Sequence, residues 1–194
     1  MLVFETELLK KLGSFQGFTL EVDKYLPTIL EPSNNSFMER ATAEKNVNFK
    51  QLISYVVLRH KNTFFSYTRG MKANEKRLIG KRSIALGGHI EHMDNPYVHF
   101  DKALYLRAAQ REVNEEVLLG TNYVENIVAL INDDSNPVGR VHFGILHIWD
   151  IEHPKVSSRE STIADPCFVS SDKLMASFNE LETWSQIALK ALEK

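Results

Sequence analysis

One long segment without Gly or Pro, residues 102–118, constrains the fold more than any other part of the chain. It reads KALYLRAAQREVNEEVL and is rich in Ala, Leu, Glu and Arg, which favour helix. Gly120 follows where such a helix is expected to end. On a helical wheel one side is apolar, formed by Ala103, Leu106, Ala109, Val113 and Val117. The segment therefore predicts an amphipathic helix packed on a sheet.

Strand-like segments flank this helix. Two β-rich runs, 51–60 and 63–70, predict a hairpin, and the run RSIALGGHIEH predicts a third strand that reaches a Gly-Gly pair. Beyond the helix we predict strands at 123–131, 139–151 and 167–170 and a closing helix at 178–192. Because this order mixes hairpins with crossovers, we expect an α/β fold with a mixed sheet flanked by helices.

The first fifty residues carry a weaker pattern. The run LLKKLG predicts a short helix that ends at Gly13, and EPSNNS at 31–36 predicts a loop. The chain has 194 residues, which is about the length of one domain. We therefore divide it into an N-terminal extension, 1–50, packed irregularly on a main domain, 51–194.

Composition excludes several classes of function. The 23 Lys and Arg against 25 Asp and Glu give a net charge of −2, so no positive field recruits nucleic acid or an anionic membrane. The lone Cys167 has no internal disulfide partner, and the apolar runs are too short to span a bilayer. The start of the chain also lacks the pattern of a signal peptide. We expect a cytoplasmic protein that binds neither nucleic acid nor membrane.

Three carboxylates cluster on the predicted helix. Glu112, Glu115 and Glu116 fall on one side of the wheel, separate from the apolar face. Like charges at this spacing repel one another unless a cation or solvent neutralises them. A hard divalent metal such as Mg²⁺ takes oxygen ligands and shares carboxylates with substrate phosphates. A solvated acidic face is the alternative interpretation, and these residues alone leave both open.

The surrounding motif favours the metal. GGHIEHMD before the helix and REVNEEVL on it resemble the signature of the Nudix hydrolase family, G-x5-E-x7-R-E-U-x-E-E-x-G-U, where U is bulky and apolar. Gly88 matches the first Gly, and Asp94 stands at the first Glu. The second half is matched by Arg111, Glu112, Val113, Glu115, Glu116 and Leu119.

Two departures from the signature stand out. Between Asp94 and Arg111 lie 16 residues where the family has seven, which implies an insertion of nine, placed at 95–103. Leu118 also replaces the final Gly of the signature. We expect the inserted segment to lie beside the active site and to influence substrate choice rather than catalysis.

The resemblance implies an α/β/α sandwich that hydrolyses nucleoside diphosphates linked to another moiety, with Mg²⁺ or Mn²⁺. By similarity, Glu115 and Glu116 would be metal ligands together with the carbonyl of Gly87. Glu112 would bind at the metal site and orient or deprotonate the attacking water. Arg111 would brace the loop, through a carboxylate such as Asp94. Since family members are often dimers, the resemblance leaves a homodimer open.

Residues outside the signature are weaker candidates. Several basic residues precede the Gly-Gly pair and are candidates to neutralise substrate phosphate: Arg69, Arg77, Lys81 and Arg82. Tyr67 and Phe65 alternate on a predicted strand, where one would stack on a base or pack in the core. Trp184 is expected to anchor a core or an interface.

A further carboxylate beyond the signature is expected by similarity to other members. The candidates are Glu160, in the polar stretch VSSREST, and Glu152, at the end of a strand. We favour Glu160 as auxiliary ligand or base because a loop can bring it over the site.

Other functions are disfavoured. The histidines at 89, 92, 99, 142 and 147 lack the paired spacing of a zinc site. A non-catalytic nucleotide-sensing module normally goes with an eroded signature, whereas REVNEE is complete here. An isoprenyl-diphosphate isomerase would need a pocket Cys and Glu, and Cys167, just before a late strand, is a poor candidate.

Overall fold

The N-terminal fifty residues form regular structure. The computed structural model describes residues 1–70, 78, 80–91 and 100–194. The first elements are β1 (Leu2–Glu5), α1 (Thr6–Leu12), β2 (Gly17–Thr19), α2 (Val22–Ile29), β3 (Asn35–Phe37) and α3 (Arg40–Ala43). The predicted short helix is confirmed as α1, with Gly13 at its C-cap at φ 102°. The predicted loop at 31–36 is a 3₁₀ turn, Pro32–Asn34, that runs into β3.

The rest of the chain contains the predicted strands and helices in order, together with three short elements that the sequence did not predict, at 117–119, 156–158 and 171–176. Its elements are β4 (Phe49–His60), β5 (Thr63–Arg69), β6 (Arg82–Ser83), β7 (Leu86–His89), α4 (Lys102–Glu116), β8 (Val117–Leu119), β9 (Tyr123–Asn132), β10 (His142–Ile151), β11 (Val156–Ser158), β12 (Ile163–Ser170), α5 (Ser171–Ala176) and α6 (Thr183–Leu192). The predicted third strand is two short strands, β6 and β7, and the predicted closing helix begins later, at Thr183.

The main sheet is mixed, as predicted. Its central order is β12-β5-β4-β10-β9-β2, with β1, β3, β6 and β7 joined to its sides. Strands β4 and β10 are parallel, whereas β4 is antiparallel to β5 and β7. Strands β8 and β11 form a separate antiparallel pair. The long central strand β4 thus fixes β7, with its two glycines, in the middle of the molecule.

The N-terminal residues belong to this sheet. Strand β1 pairs with β4, where Val3 lies opposite Gln51, and β2 pairs with β9. The expectation of irregular packing there is wrong. Since Leu2, Val3 and Phe4 are buried, β1 contributes core side chains as well as backbone pairing.

Apolar side chains cover both faces of the sheet and make the predicted α/β/α layers. Residues of α1, α2 and α4 form one part of the core with Leu52, Phe143 and Ile145. Residues of α5 and α6 form another with Tyr55 and Leu146. No helix in the described part of the chain is long and apolar enough to cross a membrane.

Helix α4 is packed differently at its two ends. Ala109, Val113 and Val117 are buried as predicted, but Ala103 is exposed and was wrongly placed on the apolar face. Near its start the helix instead buries Leu104, Tyr105 and Ala108. Tertiary packing of the large Tyr105 side chain thus sets the buried face there. The helix ends at Glu116, two residues earlier than predicted, because Val117 already belongs to β8.

Part of the predicted insertion is structural. Phe100 is buried and packs edge-to-face on Phe37, with 5.8 Å between ring centroids. The side chain of Asp101 caps α4 by accepting a 2.9 Å hydrogen bond from the Leu104 amide. Residues 102 and 103 belong to α4, so the assignment of 95–103 as one excursion is wrong beyond residue 99. Asp94 and residues 95–99 lie outside the described residues.

Candidate active site

The glycines of β7 receive the side chain of Glu112. Strand β7 pairs with β4, with Gly87 opposite Tyr55 and Gly88 opposite Ser54. A Cβ on Gly88 would overlap the Cγ and the carboxylate of Glu112. The absence of a side chain at Gly88 therefore gives Glu112 a place directly against the strand backbone.

Two of the three predicted carboxylates share this site. Burial is the main cause that raises the pKa of Glu112 to about 7, against the opposing charge and hydrogen bond of Arg111. Burial also raises the pKa of Glu116 to about 8, and the Arg69 charge opposes this while Glu160, Glu112 and Glu182 add to it. Glu112 and Glu116 are one helical turn apart, so their charges act on each other.

Arg111 contacts the acidic side chains directly. Its Nη2 forms an ion pair with Oε1 of Glu112 at 2.7 Å, and its Nη1 donates to Oε1 of Glu115 at 3.1 Å. Nη2 also donates to the carbonyl of His89 at 3.4 Å. Arg111 therefore ties helix α4 to the end of β7 through partners that the sequence did not identify. Its bracing of the loop before the helix stays a prediction. The predicted partner Asp94 lies outside the described residues.

Glu115 differs from the other two carboxylates. Its side chain keeps 54% of its surface exposed, whereas that of Glu112 keeps 18%. Among the residues that the structure describes, no three His, Cys, Asp or Glu side chains converge on one point as a preformed metal cage. Glu115 contacts Arg111 instead, so the three glutamates are not gathered around one point here, and their joint role at a metal stays a prediction.

The donor set nevertheless fits a hard divalent cation. Glu112 and Glu116 are partly buried carboxylates whose raised pKa shows that the fold stabilises their charge poorly. A divalent cation bound beside them would favour the charged form of both. The recess over Gly88 also lets the Glu112 carboxylate lie against the backbone that carries Gly87.

The loop after β11 reaches the end of helix α4. The Arg159 amide donates to the carbonyl of Glu116 at 2.9 Å, and its Nη1 donates to the carbonyl of Asn114 at 2.8 Å. The neighbouring Glu160 accepts a 2.9 Å hydrogen bond from Thr162, and its charge raises the pKa of Glu116. Glu152 is instead bound to the side chain of Asn122 at 3.1 Å. Glu160 is therefore near enough to Glu116 for the two carboxylate charges to repel each other.

Arg69 lies close enough to Glu116 for its charge to act on that carboxylate. It is paired with Glu182, an acidic residue that the sequence did not indicate. Its Nε and Nη2 donate to the two oxygens of Glu182 at 3.0 and 3.1 Å. Glu182 is the residue just before α6, a position where acidic side chains are favoured, and this was the available signal. Since 113 residues separate the partners, no local pattern reveals the pair.

The other predicted substrate contacts differ in their surroundings. Tyr67 is fully buried and donates its hydroxyl to the Ala85 carbonyl at 3.1 Å, so its prediction as a base-stacking residue is wrong. Phe65 is buried too. Arg82 donates to Ser66 Oγ and to Cys167 Sγ, each at 2.7 Å. These contacts do not test its role as a substrate contact, which stays a prediction. Lys81 is exposed. Arg77 lies outside the described residues.

The remaining candidates have structural partners. His89 and His142 face each other with 3.3 Å between their Nε2 atoms, and His147 Nε2 lies 2.6 Å from the hydroxyl of Tyr105. His92 and His99 lie outside the described residues. Trp184 packs edge-to-face on Tyr55 at 5.5 Å between centroids, which makes it a core anchor.

Known proteins share sequence and fold with this chain. No protein-family model matches the chain. It is similar to Protein YmaB of Bacillus subtilis (strain 168), with 34% identity over 198 residues that cover 98% of this chain and 93% of that protein. It is also similar to the crystal structure of Tm1382, assigned as a Nudix hydrolase, with a TM-score of 0.82 and 27% identity, covering 99% of this chain and 97% of that one.

A more distant structure shares the fold. The NUDIX domain of NrtR from Shewanella oneidensis, solved in complex with ADP ribose, superposes with a TM-score of 0.54 at 9% identity. The match covers 74% of this chain and 86% of that one. The likeness to Tm1382 extends over both the sheet and the N-terminal elements, since it covers nearly the whole chain.

Proposed function

Since this chain belongs to the Nudix hydrolase family, we propose that it is a metal-dependent hydrolase of a pyrophosphate bond in a nucleoside diphosphate linked to another moiety. The observation that carries the proposal is the Glu112 carboxylate seated on Gly88, one helical turn from the partly buried Glu116. A structural role alone does not explain two carboxylates held at the cost of desolvation.

Mg²⁺ or Mn²⁺ is the proposed cofactor. Glu115, Glu116 and the carbonyl of Gly87 would hold it, with Glu112 beside them and Glu160 as an auxiliary ligand or base. When bound, the ion supplies positive charge that neutralises the diphosphate and lowers the pKa of an attacking water. Glu115 would have to exchange its contact with Arg111 for the ion, and its exposed position allows this movement.

Glu112 is the proposed general base. Seated in the recess over Gly88, this carboxylate would accept a proton from the attacking water and release it again after the reaction. Arg111 orients the carboxylate through the 2.7 Å ion pair and fixes it against β7 through the carbonyl of His89. Both contacts restrict the Glu112 side chain to one position, which favours proton transfer.

The proposed substrate is a nucleotide-type diphosphate. Arg69 lies close enough to Glu116 for its charge to act on that carboxylate, and a guanidinium suits a phosphate oxygen. The ADP ribose bound to the NUDIX domain of NrtR is a nucleotide-type ligand of the same class. The homodimer and the cytoplasmic location stay predictions.

A panel assay tests the proposal. Wild-type protein is incubated with nucleotide sugars, dinucleoside polyphosphates, ADP-ribose and NADH, with Mg²⁺, with Mn²⁺ and with a chelator, and phosphate products are separated by chromatography. We expect metal-dependent cleavage of at least one substrate. Binding of a panel member without cleavage under any metal condition would indicate a nucleotide-sensing module instead.

Glu160 and Glu152 form a matched pair for the auxiliary carboxylate. We expect Glu160→Gln to change kcat and the Mg²⁺ dependence of the rate, and Glu152→Gln to leave both unchanged because Glu152 is bound to Asn122. The opposite result would move the auxiliary role to Glu152.

A further inference from the structure

We propose that Glu182, at the start of α6, is a positioning residue that fixes the guanidinium of Arg69 beside Glu116 for contact with the substrate diphosphate. This inference rests on the proposed function. It assigns a role in substrate binding to the C-terminal helix, which lies outside the signature region.

The pair has the geometry of a fixed guanidinium. Glu182 accepts from Nε and Nη2 of Arg69 at 3.0 and 3.1 Å, so both carboxylate oxygens engage one edge of the fork. The Arg69 side chain is 18% exposed and that of Glu182 is 3% exposed. Because the carboxylate is buried and doubly bound, the guanidinium has one orientation rather than a range of them.

Glu182 is itself held by a hydrogen-bond network. Its Oε1 accepts from the hydroxyl of Tyr55 at 2.9 Å and from Ser83 Oγ at 2.8 Å, and the hydroxyl of Ser185 lies at 3.4 Å. Its amide donates to the carbonyl of Arg82 at 2.9 Å. A buried carboxylate persists only where such donors replace water. Strands β4 and β6 and helix α6 thus fix the position of Glu182, and through it that of Arg69.

One edge of the guanidinium is not used by Glu182. Nη1 of Arg69 has no hydrogen-bond partner among the described residues, and it is not one of the unpartnered buried atoms. The Tyr67 ring lies 5.3 Å from the guanidinium carbon and limits its movement on another side. Strand pairing places Arg69 on this side of the site, because it lies opposite Ile163 of β12 and the loop before β12 reaches Glu116, whose carbonyl accepts from the Arg159 amide at 2.9 Å. The charge of Arg69 also opposes the raised pKa of Glu116.

This arrangement suits a phosphate group bound next to the carboxylates. An unpaired Arg at this place would be drawn towards Glu116 and would lose its orientation for the substrate. With Nε and Nη2 committed to Glu182, Nη1 is left to bind a phosphate oxygen. Holding a side chain in its binding orientation before the ligand arrives reduces the entropy cost of binding. Loss of Glu182 should therefore weaken substrate binding more than it slows the chemical step.

The test separates KM from kcat in Glu182→Gln, using the substrate that the panel identifies. Gln keeps the side-chain length and an oxygen for Tyr55 and Ser83 but loses the charge that binds Arg69. We expect KM to rise about tenfold with kcat changed by less than about threefold. A merely structural role would reduce the folded fraction, which lowers kcat and leaves KM unchanged.

The surface pair of Arg59 and Asp150 provides a matched control. It has the same two-point geometry, with Nε and Nη2 of Arg59 at 2.6 and 2.8 Å from the carboxylate of Asp150. We expect Asp150→Asn to leave KM unchanged. In an Arg69→Gln background, Glu182→Gln should raise KM no further, since Glu182 acts through Arg69.

Arg69→Lys covers the case in which Glu182→Gln does not fold, because Lys keeps the opposite charge beside Glu182 but lacks the fork. It should also raise KM. A folded Glu182→Gln, or failing that a folded Arg69→Lys, with wild-type KM overturns the inference while the hydrolase function stands. If wild type cleaves no member of the panel, the proposed function fails and this inference fails with it.

Discussion

The two halves of helix α4 differ in the side chains that they bury. The first half buries Leu104, Tyr105 and Ala108 against the core, and its stability comes from removing apolar surface from water. The second half partly buries Glu112 and Glu116, whose carboxylates resist losing water. The packing of the first half thus holds the second half, which carries the carboxylates, against β7. Changes in the first half should therefore act on stability, and changes in the second half on turnover.

The largest expected effect is that of Glu116→Gln. Loss of the carboxylate should lower kcat by about 10³-fold or more at saturating Mg²⁺, because an amide is a poor ligand for the activating ion. Thermal unfolding should show a fold at least as stable as wild type, since the variant no longer buries an ionisable group. Near-normal turnover in both Glu116→Gln and Glu115→Gln would contradict the assignment of the metal site.

Gly88→Ala should have the next largest effect. The added Cβ overlaps the Glu112 carboxylate, so the side chain must leave its recess, and we expect kcat to fall by about 10²-fold. Gly120→Ala is the control, because its Cβ would meet Lys155 at an ordinary 3.5 Å. Equal kinetics for both alanine variants would show that Glu112 does not act from the recess.

A change in the first half of the helix sharpens the contrast. Tyr105→Phe removes the 2.6 Å hydrogen bond to His147 and leaves the fully buried imidazole without that partner. We expect a loss of about 1–3 kcal/mol in the free energy of unfolding, measured in urea, with kcat per folded molecule unchanged. A loss of turnover with unchanged stability would place catalytic function in this half as well.

The sequence predicted the second half of the helix better than the first. The signature fixes the relative phase of Arg111, Glu112 and Glu116, because residues one turn apart must share a face. Ala103 was misplaced since the wheel treats all apolar residues alike, whereas the buried Tyr105 dominates the packing at that end.

Contacts between segments far apart in the chain could not be predicted from the sequence either. The pairing of β1 with β4 and of Arg69 with Glu182 joins segments that carry no local signal for each other. Tyr67 shows the converse error. An aromatic residue on a strand has the same sequence pattern whether it faces a ligand or the core, and here it is buried.

The last expected effect is a dependence of stability on pH that arises from the second half of the helix. The pKa of Glu116 in the fold is about 8, above its ordinary value of 4.5, so its charged form is disfavoured in the native state. Below pH 4.5 this carboxyl is neutral in both the folded and the unfolded state, and it does not lower the free energy of unfolding. As pH rises towards 8 it ionises only in the unfolded state, so the free energy of unfolding falls. Gln at this position stays neutral at every pH. In chelator, the melting temperature of Glu116→Gln relative to wild type should therefore rise between about pH 5 and pH 8. Mg²⁺ should reduce this difference at pH 8 by stabilising the charged carboxylate of wild type. A difference that stays constant across this range would show that burial does not hold Glu116 in its neutral form.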